Sequence, residues 1–181
     1  MSRAAFLAEL TEEVHTRGAR RIGVDGVDGA GKTSLADELA DRIEHATRIR
    51  VDDFLNPPEI RYRLGRDSPE GFFVDSFDYD RFKGAIADAN TAVVIADGIF
   101  LHRDELVGLW DFSIWLEVPF GVSVPRGAAR GYGFGSPDPE APSNRRYVEG
   151  QRLYIESCDP RSRATIVVDN SDLARPGRLV R

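Results

Sequence analysis

Several features are absent or scarce in this sequence, and each absence excludes some classes of protein. Cys158 is the single cysteine among 181 residues, so neither an internal disulfide nor a cysteine-rich zinc site can form. The net charge of −6 argues against a surface for nucleic acid or for an anionic membrane, because both require a basic face. No apolar run approaches a membrane span, and the acidic stretch 9–13 is unlike a signal peptide. We therefore expect a cytoplasmic protein with no nucleic-acid partner and no membrane contact.

Lysine is nearly absent, and one of the two lysines stands in a recognisable pattern. Lys32 and Lys83 are the only lysines, whereas arginine is common. The segment 26–33 reads Gly-Val-Asp-Gly-Ala-Gly-Lys-Thr, which has the spacing G-x-x-x-x-G-K-S/T of a phosphate-binding loop. A short apolar stretch at 21–25 precedes it, and apolar residues at helical spacing follow it. This context of strand, loop and helix favours a phosphate-binding loop over a glycine-rich turn with a solvated lysine.

The chemistry of such a loop follows from its backbone. Glycines allow successive N–H groups to point inward and form a nest for an anion at a helix N-terminus. Lys32 is then expected to reach the β- and γ-phosphates, and the hydroxyl of Thr33 to bind Mg²⁺. The predicted nucleotide-binding residues are Gly26, Val27, Asp28, Gly29, Ala30, Gly31, Lys32, Thr33 and Ser34.

Apolar segments alternate with helical patterns along the chain. The predicted strands cover 21–25, 47–52, 92–98, 112–118 and 164–170, and the predicted helices cover 2–17, 32–45, 79–89, 102–109, 119–130 and 145–157. This alternation predicts an α/β fold of the P-loop NTPase type, with a five-stranded parallel sheet and helices on both faces. We expect one domain, 1–181, with a small lid at about 126–146, and an irregular functional loop at 55–76.

Acidic residues follow several predicted strands, where ligands of parallel sheets bind. Asp97 ends a continuous apolar run and precedes Gly98, a pattern typical of a carboxylate that holds Mg²⁺ opposite Thr33. The alternative for Asp97 is a helix cap. Asp52 and Asp53 follow the second strand, and we assign Asp52 as the base that accepts the proton of an attacking hydroxyl. The alternative for this pair is a solvated loop, or support of the metal from outside its ligand set.

Two groups of arginines are further candidates. Arg126 and Arg130 lie four residues apart on one predicted helix, before a loop rich in glycine and proline. A closing lid could bring such guanidinium groups to a phosphoryl group in transfer and stabilise its charge. A solvated basic helix face is the alternative. The loop 55–76 contains Arg61, Tyr62, Arg63 and Arg66, which are candidates for binding a substrate, including one with an anionic group. A loop of solvated arginines is the alternative.

The ordered set of motifs resembles the uridine kinase group of P-loop kinases, which includes relatives of phosphoribulokinase and pantothenate kinase. The matching positions are 26–33, Asp52-Asp53-Phe54, Phe77-Asp78, 97–100, Arg126 with Arg130, Arg146-Tyr147 with Gln151 and Tyr154, and Asp169-Asn170. The resemblance implies ATP as phosphoryl donor, Mg²⁺ as cofactor, and Asp52 as the group that activates an acceptor hydroxyl. It also implies that Asp78 binds ribose hydroxyls and that Arg126 and Arg130 are lid arginines.

Three functions remain open on the sequence. The first is a kinase that transfers the γ-phosphoryl group of ATP to a hydroxyl of a small metabolite, above all a nucleoside such as uridine. The second is a kinase for another small acceptor, such as a pantothenate-like, sugar-like or nucleotide-like compound. The third is a nucleotide-binding protein without phosphotransfer, either a regulator or a protein that keeps ATP but has lost transfer. Gly131 stands where the related lid motif has an acid, and this keeps the loss of transfer open. A homo-oligomer is compatible with all three.

Overall fold

A six-stranded sheet forms the centre of the computed structural model, which describes residues 1–131 and 133–180. The strands are β1 (Arg21–Gly26), β2 (Ala46–Arg50), β3 (Val93–Gly98), β4 (Phe112–Glu117), β5 (Ile166–Asp169) and β6 (Gly177–Leu179). Their order is β2-β3-β1-β4-β5-β6. The first five strands pair in parallel, and β6 pairs antiparallel with β5 at the edge. The strands β1, β3 and β4 are almost wholly buried, which explains why they read as continuous apolar runs.

Helices and short turns connect the strands. The helices are α1 (Arg3–Thr16), α2 (Lys32–Ala40), α3 (Pro58–Arg61), α4 (Pro69–Asp75), α5 (Tyr79–Asp88), α6 (Phe120–Ala129), α7 (Arg145–Cys158) and α8 (Pro160–Arg163). Three 3₁₀ turns cover Val51–Phe54, Val107–Leu109 and Pro142–Asn144. Capping side chains set several helix starts, since the Ser2 hydroxyl accepts from the N–H of Ala5 at 3.3 Å and the Ser68 hydroxyl from the N–H of Gly71 at 3.0 Å. None of the helices in these described stretches has the length and apolar character needed to cross a bilayer.

The predicted α/β fold with a parallel sheet is confirmed, and the strand count is corrected from five to six. The missed strand, β6, has only three residues on an edge, too few for a periodic pattern. The segment 55–76 is not irregular, because α3 and α4 lie within it. Its prolines suggested a loop, but Pro58 and Pro69 occupy the first positions of helices, where a missing N–H costs nothing, and Pro57 is the N-cap before Pro58.

Several predicted boundaries are also wrong. The second strand ends at Arg50, and a 3₁₀ turn carries the two following acids. The helix predicted over 32–45 ends at Ala40, and the one predicted over 102–109 shrinks to a single turn at its C-terminal end. The predicted lid, about 126–146, comprises the end of α6, a series of turns and the start of α7. It includes Tyr132, which lies outside the described residues.

A close contact between β3 and the turn after β2 holds the carboxyl edge of the sheet together. Gly98 ends β3 with φ 158°, and a Cβ atom placed on it would lie 2.0 Å from Cγ1 of Val51. Val51 is fully buried, so it has little room to move away. The glycine at this position is therefore required by the packing.

We predict that Gly98→Ala destabilises the protein by about 1–3 kcal/mol, because Val51 must shift in a dense core. Chemical denaturation followed by circular dichroism would measure this as a lower transition midpoint with an unchanged slope. Gly84→Ala in α5 is the matched control, since its Cβ would meet nothing within 4 Å. A helix-interior glycine replaced by alanine is expected to stabilise by about 0.5–1 kcal/mol. Equal effects of the two substitutions would contradict the packing argument.

Candidate active site

Two adjoining cavities open at the carboxyl edge of the sheet, and each has a volume of about 300 Å³. The first, the loop cavity, is lined by residues of the 26–33 segment together with the ends of β3 and α6. The second, the aromatic cavity, is lined by residues of the α3–α4 segment and the start of α7. Asp28, Arg50, Asp52 and Ile99 line both cavities. The shared residues therefore mark the place where a ligand in one cavity would meet a ligand in the other.

The glycine-rich loop curls as its sequence predicts. Gly29 and Gly31 have φ values of 79° and 93°, which few other residues adopt. A Cβ atom on Gly29 would lie 2.1 Å from the carbonyl oxygen of Ser123 in α6, so no side chain fits there. Asp28, Gly29, Gly31, Lys32, Thr33 and Ser34 line the loop cavity. The other predicted nucleotide-binding residues, Gly26, Val27 and Ala30, are buried and do not line it.

Side chains from distant elements anchor the loop. Asn170, just after β5, donates from Nδ2 to the carbonyl oxygen of Ala30 at 2.6 Å. Gln151 of α7 accepts from the N–H of Asp28 at 2.6 Å. These two contacts fix opposite parts of the loop before any ligand binds.

A buried polar cluster supports the start of the loop from below. The Asp25 carboxylate is fully buried, and it accepts from the N–H of Gly26 at 2.7 Å. Nδ1 of His102 lies 2.8 Å from the same carboxylate, and the Tyr154 hydroxyl donates to it. Because the charge of Asp25 receives donors from three elements, it can remain buried beneath the loop.

Lys32 lies at the floor of the loop cavity with only 9% of its surface exposed. Its Nζ donates to the carbonyl oxygen of Val27 at 2.9 Å and lies 3.9 Å from a carboxylate oxygen of Asp28. The ammonium group is thus held inside the curl of the loop, where it can meet an anion in the cavity.

The residues predicted to hold Mg²⁺ are in contact. The Thr33 hydroxyl donates to Oδ2 of Asp97 at 2.8 Å, and the other oxygen of Asp97 accepts from Arg48. A hydroxyl and a carboxylate are oxygen donors of the kind that Mg²⁺ prefers, and both residues line the cavity. No cluster of three or more His, Cys, Asp or Glu residues in 1–131 and 133–180 could hold a metal unaided. The donor set therefore fits a magnesium ion that completes its shell with phosphate oxygens and water.

Two carboxylates lie where the cavities meet. Partial desolvation in the cleft raises the pKa of Asp52, whose side chain is still 54% exposed, above its ordinary value of 3.8, with Lys32 and Arg50 opposing the rise and Asp97 adding to it. Nη2 of Arg50 lies 3.6 Å from Asp52. Burial likewise raises the pKa of Asp28, against the effect of Lys32 and with a contribution from Asp52. Each carboxylate therefore holds a proton more readily than a free aspartate.

The sequence placed Asp28 only in the nucleotide-binding loop. It did not predict that the carboxylate lies at the junction, the place where the two cavities meet. An acid at a variable position of a phosphate-binding loop is the signal that could have identified it, since its side chain cannot favour the bound phosphates. Arg50 was missed as well, because an arginine near the end of an edge strand is usually solvated.

Besides Gly26, Val27 and Ala30 of the loop, three predicted site residues lie outside both cavities. Asp53 is exposed and lines neither cavity, whereas Asp52 beside it lines both. Asp78 caps α5, where it accepts from the N–H of Arg81 at 3.0 Å, and it lines neither cavity. Arg126 donates to the carbonyl oxygens of Asn170, at 3.1 Å, and Ser171, so it ties α6 to the loop after β5. The predicted roles of these three in binding or catalysis stay predictions.

The other predicted residues do reach the cavities. Arg130 is exposed at the end of α6 and lines the loop cavity. Arg61 and Tyr62 line the aromatic cavity. Arg146, one residue into α7, lines it too and holds the α3–α4 segment in place by donating to the carbonyl oxygens of that segment.

No family model and no curated protein matches this chain. Solved structures do match it. A protein provisionally described as a uridine kinase from Bacillus stearothermophilus is 19% identical, with a TM-score of 0.67 over 89% of this chain and 96% of that one. A protein provisionally described as a fructose transport system kinase from Silicibacter sp. TM1040 is 20% identical, with a TM-score of 0.60 over 83% and 94%.

A shikimate kinase from Bacteroides thetaiotaomicron is 17% identical, with a TM-score of 0.53 over 87% of this chain and 89% of that one. All three are kinases by description, and each is matched over most of its length. At this level of identity the likeness concerns the fold. The resemblance found in the sequence is thus confirmed in three dimensions: this chain has the fold of the P-loop kinases.

Proposed function

We propose that this chain is an ATP-dependent kinase that transfers the γ-phosphoryl group to a hydroxyl of a small metabolite. One observation carries the proposal: the loop cavity and the aromatic cavity adjoin, and the Asp52 carboxylate lines both. A donor in the first cavity and an acceptor in the second would place the transferred group beside that carboxylate. Phosphoryl transfer depends mainly on such positioning and on charge stabilisation.

The loop cavity is the proposed ATP site. Lys32 would contact the β- and γ-phosphates, and Thr33 with Asp97 would hold Mg²⁺. The ion, when bound, would neutralise charge on the phosphate oxygens. Arg130 lines the same cavity, and its guanidinium is the lid group best placed to stabilise the phosphoryl group in transfer. Arg126 would act through the position of α6, because its donors are bonded to main-chain oxygens.

Asp52 is the proposed general base. The acceptor hydroxyl oxygen would form a bond to the γ-phosphorus while the bond from that phosphorus to the β–γ bridging oxygen breaks, and the hydroxyl proton would pass to Asp52. The raised pKa of Asp52 suits this step, because a stronger base accepts the proton more readily once it is ionised.

A nucleoside such as uridine is the first acceptor to test, since the sequence resembles the uridine kinase group. The aromatic side chains of the second cavity, including Tyr62, Phe72 and Tyr147, offer faces on which a flat ring could stack. The proteins of similar fold have different descriptions, which name uridine, a fructose transport system and shikimate. The fold alone therefore leaves the acceptor open, and a small neutral or anionic metabolite is the wider class.

A regulator that binds nucleotide without transfer is the second candidate, favoured by Gly131 at the lid position where related kinases have an acid. ADP release that rises when an acceptor is added would exclude it. Release at the same slow rate with every acceptor would support it.

Lys32→Ala is predicted to abolish measurable ATP binding or weaken it by at least about tenfold, because the buried ammonium is the cation held within the loop. Isothermal titration calorimetry with Mg²⁺ and a non-hydrolysable ATP analogue measures the change. Lys83→Ala is the control, since Lys83 is the other lysine and pairs with Asp80 on the surface. Unchanged ATP affinity in the Lys32 variant would remove the loop cavity from the proposal.

Asp52→Asn is predicted to lower kcat by about 10²–10⁴-fold with little change in ATP affinity, because the variant keeps its shape but loses the base. Asp53→Asn on the same turn is predicted to retain activity, since Asp53 lines neither cavity. Steady-state assays with the best acceptor measure both. A large loss in the Asp53 variant with normal turnover in the Asp52 variant would exchange the two assignments.

The rate is also predicted to depend on pH through the raised pKa of Asp52. A base must be ionised, so kcat/KM should fall as the pH drops through that pKa, at a higher pH than for an aspartate of pKa 3.8. The acid limb of the pH profile should vanish in Asp52→Asn. A limb that persists there but vanishes in Asp28→Asn would assign the base to Asp28 instead.

A further inference from the structure

Three arginines line the aromatic cavity, which is unusual for a site expected to take a neutral nucleoside. They are Arg50, Arg61 and Arg146. The two acids of this cavity, Asp28 and Asp52, also line the loop cavity and thus lie at the junction. Arg50 also lines both cavities, so Arg61 and Arg146 are the two arginines that line the aromatic cavity alone.

The guanidinium of Arg146 is hydrogen-bonded to main-chain carbonyl groups. Its Nη1 donates to the carbonyl oxygens of Gly65, Arg66 and Ser68 at 3.3, 3.2 and 3.0 Å, and its Nη2 donates to that of Arg61 at 3.1 Å. The residue is only 7% exposed. Arg146 therefore shapes the segment that carries Arg61 and has few donors left for a ligand.

Arg50 and Lys32, the cations beside the junction, each have a carboxylate nearby. Nη2 of Arg50 lies 3.6 Å from Asp52, and Nζ of Lys32 lies 3.9 Å from Asp28. These pairs leave the junction close to neutral. Arg61 is different, because no ion pair or side-chain hydrogen bond is formed by its guanidinium within the described part of the chain.

The Nε atom of Arg61 is buried and has no hydrogen-bond partner. An unsatisfied buried donor on a charged group is costly, so proteins rarely leave one without a reason. Arg63, two residues along, shows the usual solution, since it forms two hydrogen bonds with Asp75 at 2.8 and 2.7 Å. Arg61 instead stacks over the ring of Tyr62 at 5.2 Å, and both residues line the cavity.

We infer that the acceptor carries a carboxylate or phosphate group in addition to its hydroxyl, and that Arg61 binds this anionic group. The inference rests on the proposed kinase function and names the substrate class of its second cavity. The anionic group lies at the Arg61 end, because the guanidinium there forms no ion pair with a described residue, whereas Arg50 and Lys32 at the junction already lie beside Asp52 and Asp28. The hydroxyl then lies at the Asp52 end, where transfer requires it. The rings of Tyr62 and Tyr147 cover the apolar part of the acceptor.

Matched pairs of hydroxyl compounds that differ only in the anionic group test this inference. Suitable pairs are ribose 5-phosphate with ribose, shikimate with its methyl ester, and orotidine with uridine. Calorimetry on the wild-type protein with Mg²⁺ and ADP measures binding, and ADP release with ATP measures turnover. In at least one pair the anionic member is expected to bind about tenfold or more tightly than the neutral member. The phosphate and carboxylate pairs distinguish the two kinds of anion.

Two arginine variants identify the group responsible. Arg61→Gln is expected to remove the preference for the anionic member and leave the affinity for ATP unchanged. Arg66→Gln is the matched control, because the Arg66 guanidinium also lies over the Tyr62 ring, at 4.9 Å, but Arg66 does not line the cavity. The preference is expected to survive in this control.

The outcomes separate the inference from the proposed function. Binding of an anionic member without acceptor-stimulated ADP release would contradict the kinase function and support the anionic site. If the neutral member binds as tightly as its anionic partner in every pair, the inference is overturned. Acceptor-stimulated turnover in the same experiment would still support the kinase function. A preference that persists in Arg61→Gln, or the failure of every anionic member to bind, would also overturn it.

Discussion

The curl of the glycine-rich loop is the constraint on which the rest of the site depends. The loop can hold its shape only because side chains from separate parts of the chain anchor it. Asp25 accepts from the first amide, Gln151 from the amide of Asp28, and Asn170 donates to the carbonyl of Ala30. These contacts connect the loop to β1, α7 and the segment after β5, so the sheet and its flanking helix hold the loop in place. An anion nest assembled in advance costs little further ordering when a phosphate enters.

The fold then brings two acids with different proposed roles to the carboxyl edge of the sheet. Asp97 is placed by β3 beside Thr33, while the turn after β2 holds Asp52 a short way off. Gly98 permits that turn to approach, since any side chain there would strike Val51. The same close packing therefore positions both the proposed metal donors and the proposed base. A substitution at Gly98 would shift Asp52 through the backbone of the turn, although the two residues are far apart in the sequence.

Sequence reasoning succeeded where the signal was local and failed where it depended on the direction of a side chain. The loop 26–33 and the strand before Asp97 combine spacing with apolar runs, and both features survive in the structure. Asp53 and Asp78 could not be judged in this way, because one faces solvent and the other caps α5. Arg126 has the spacing of a lid arginine but is bonded to main-chain oxygens 44 and 45 residues further along. Such partners leave no periodic trace in a single sequence.

The residues of the two cavities are distributed differently along the chain. This explains why the sequence predicted the loop cavity, the proposed donor site, better than the aromatic cavity, the proposed acceptor site. The loop cavity comes mainly from one continuous segment, whose residue order is dictated by the geometry of phosphate binding. The aromatic cavity is assembled by Arg146 of α7, whose guanidinium holds carbonyl groups 78 to 85 residues earlier in the chain. Arg61 enters the cavity because of those contacts, and it reads as an ordinary solvated arginine without them. A site assembled across that distance can change its acceptor by changing a few side chains of the α3–α4 segment, while the strands and the loop remain as they are. The different kinase descriptions of proteins with this fold are in keeping with such a division.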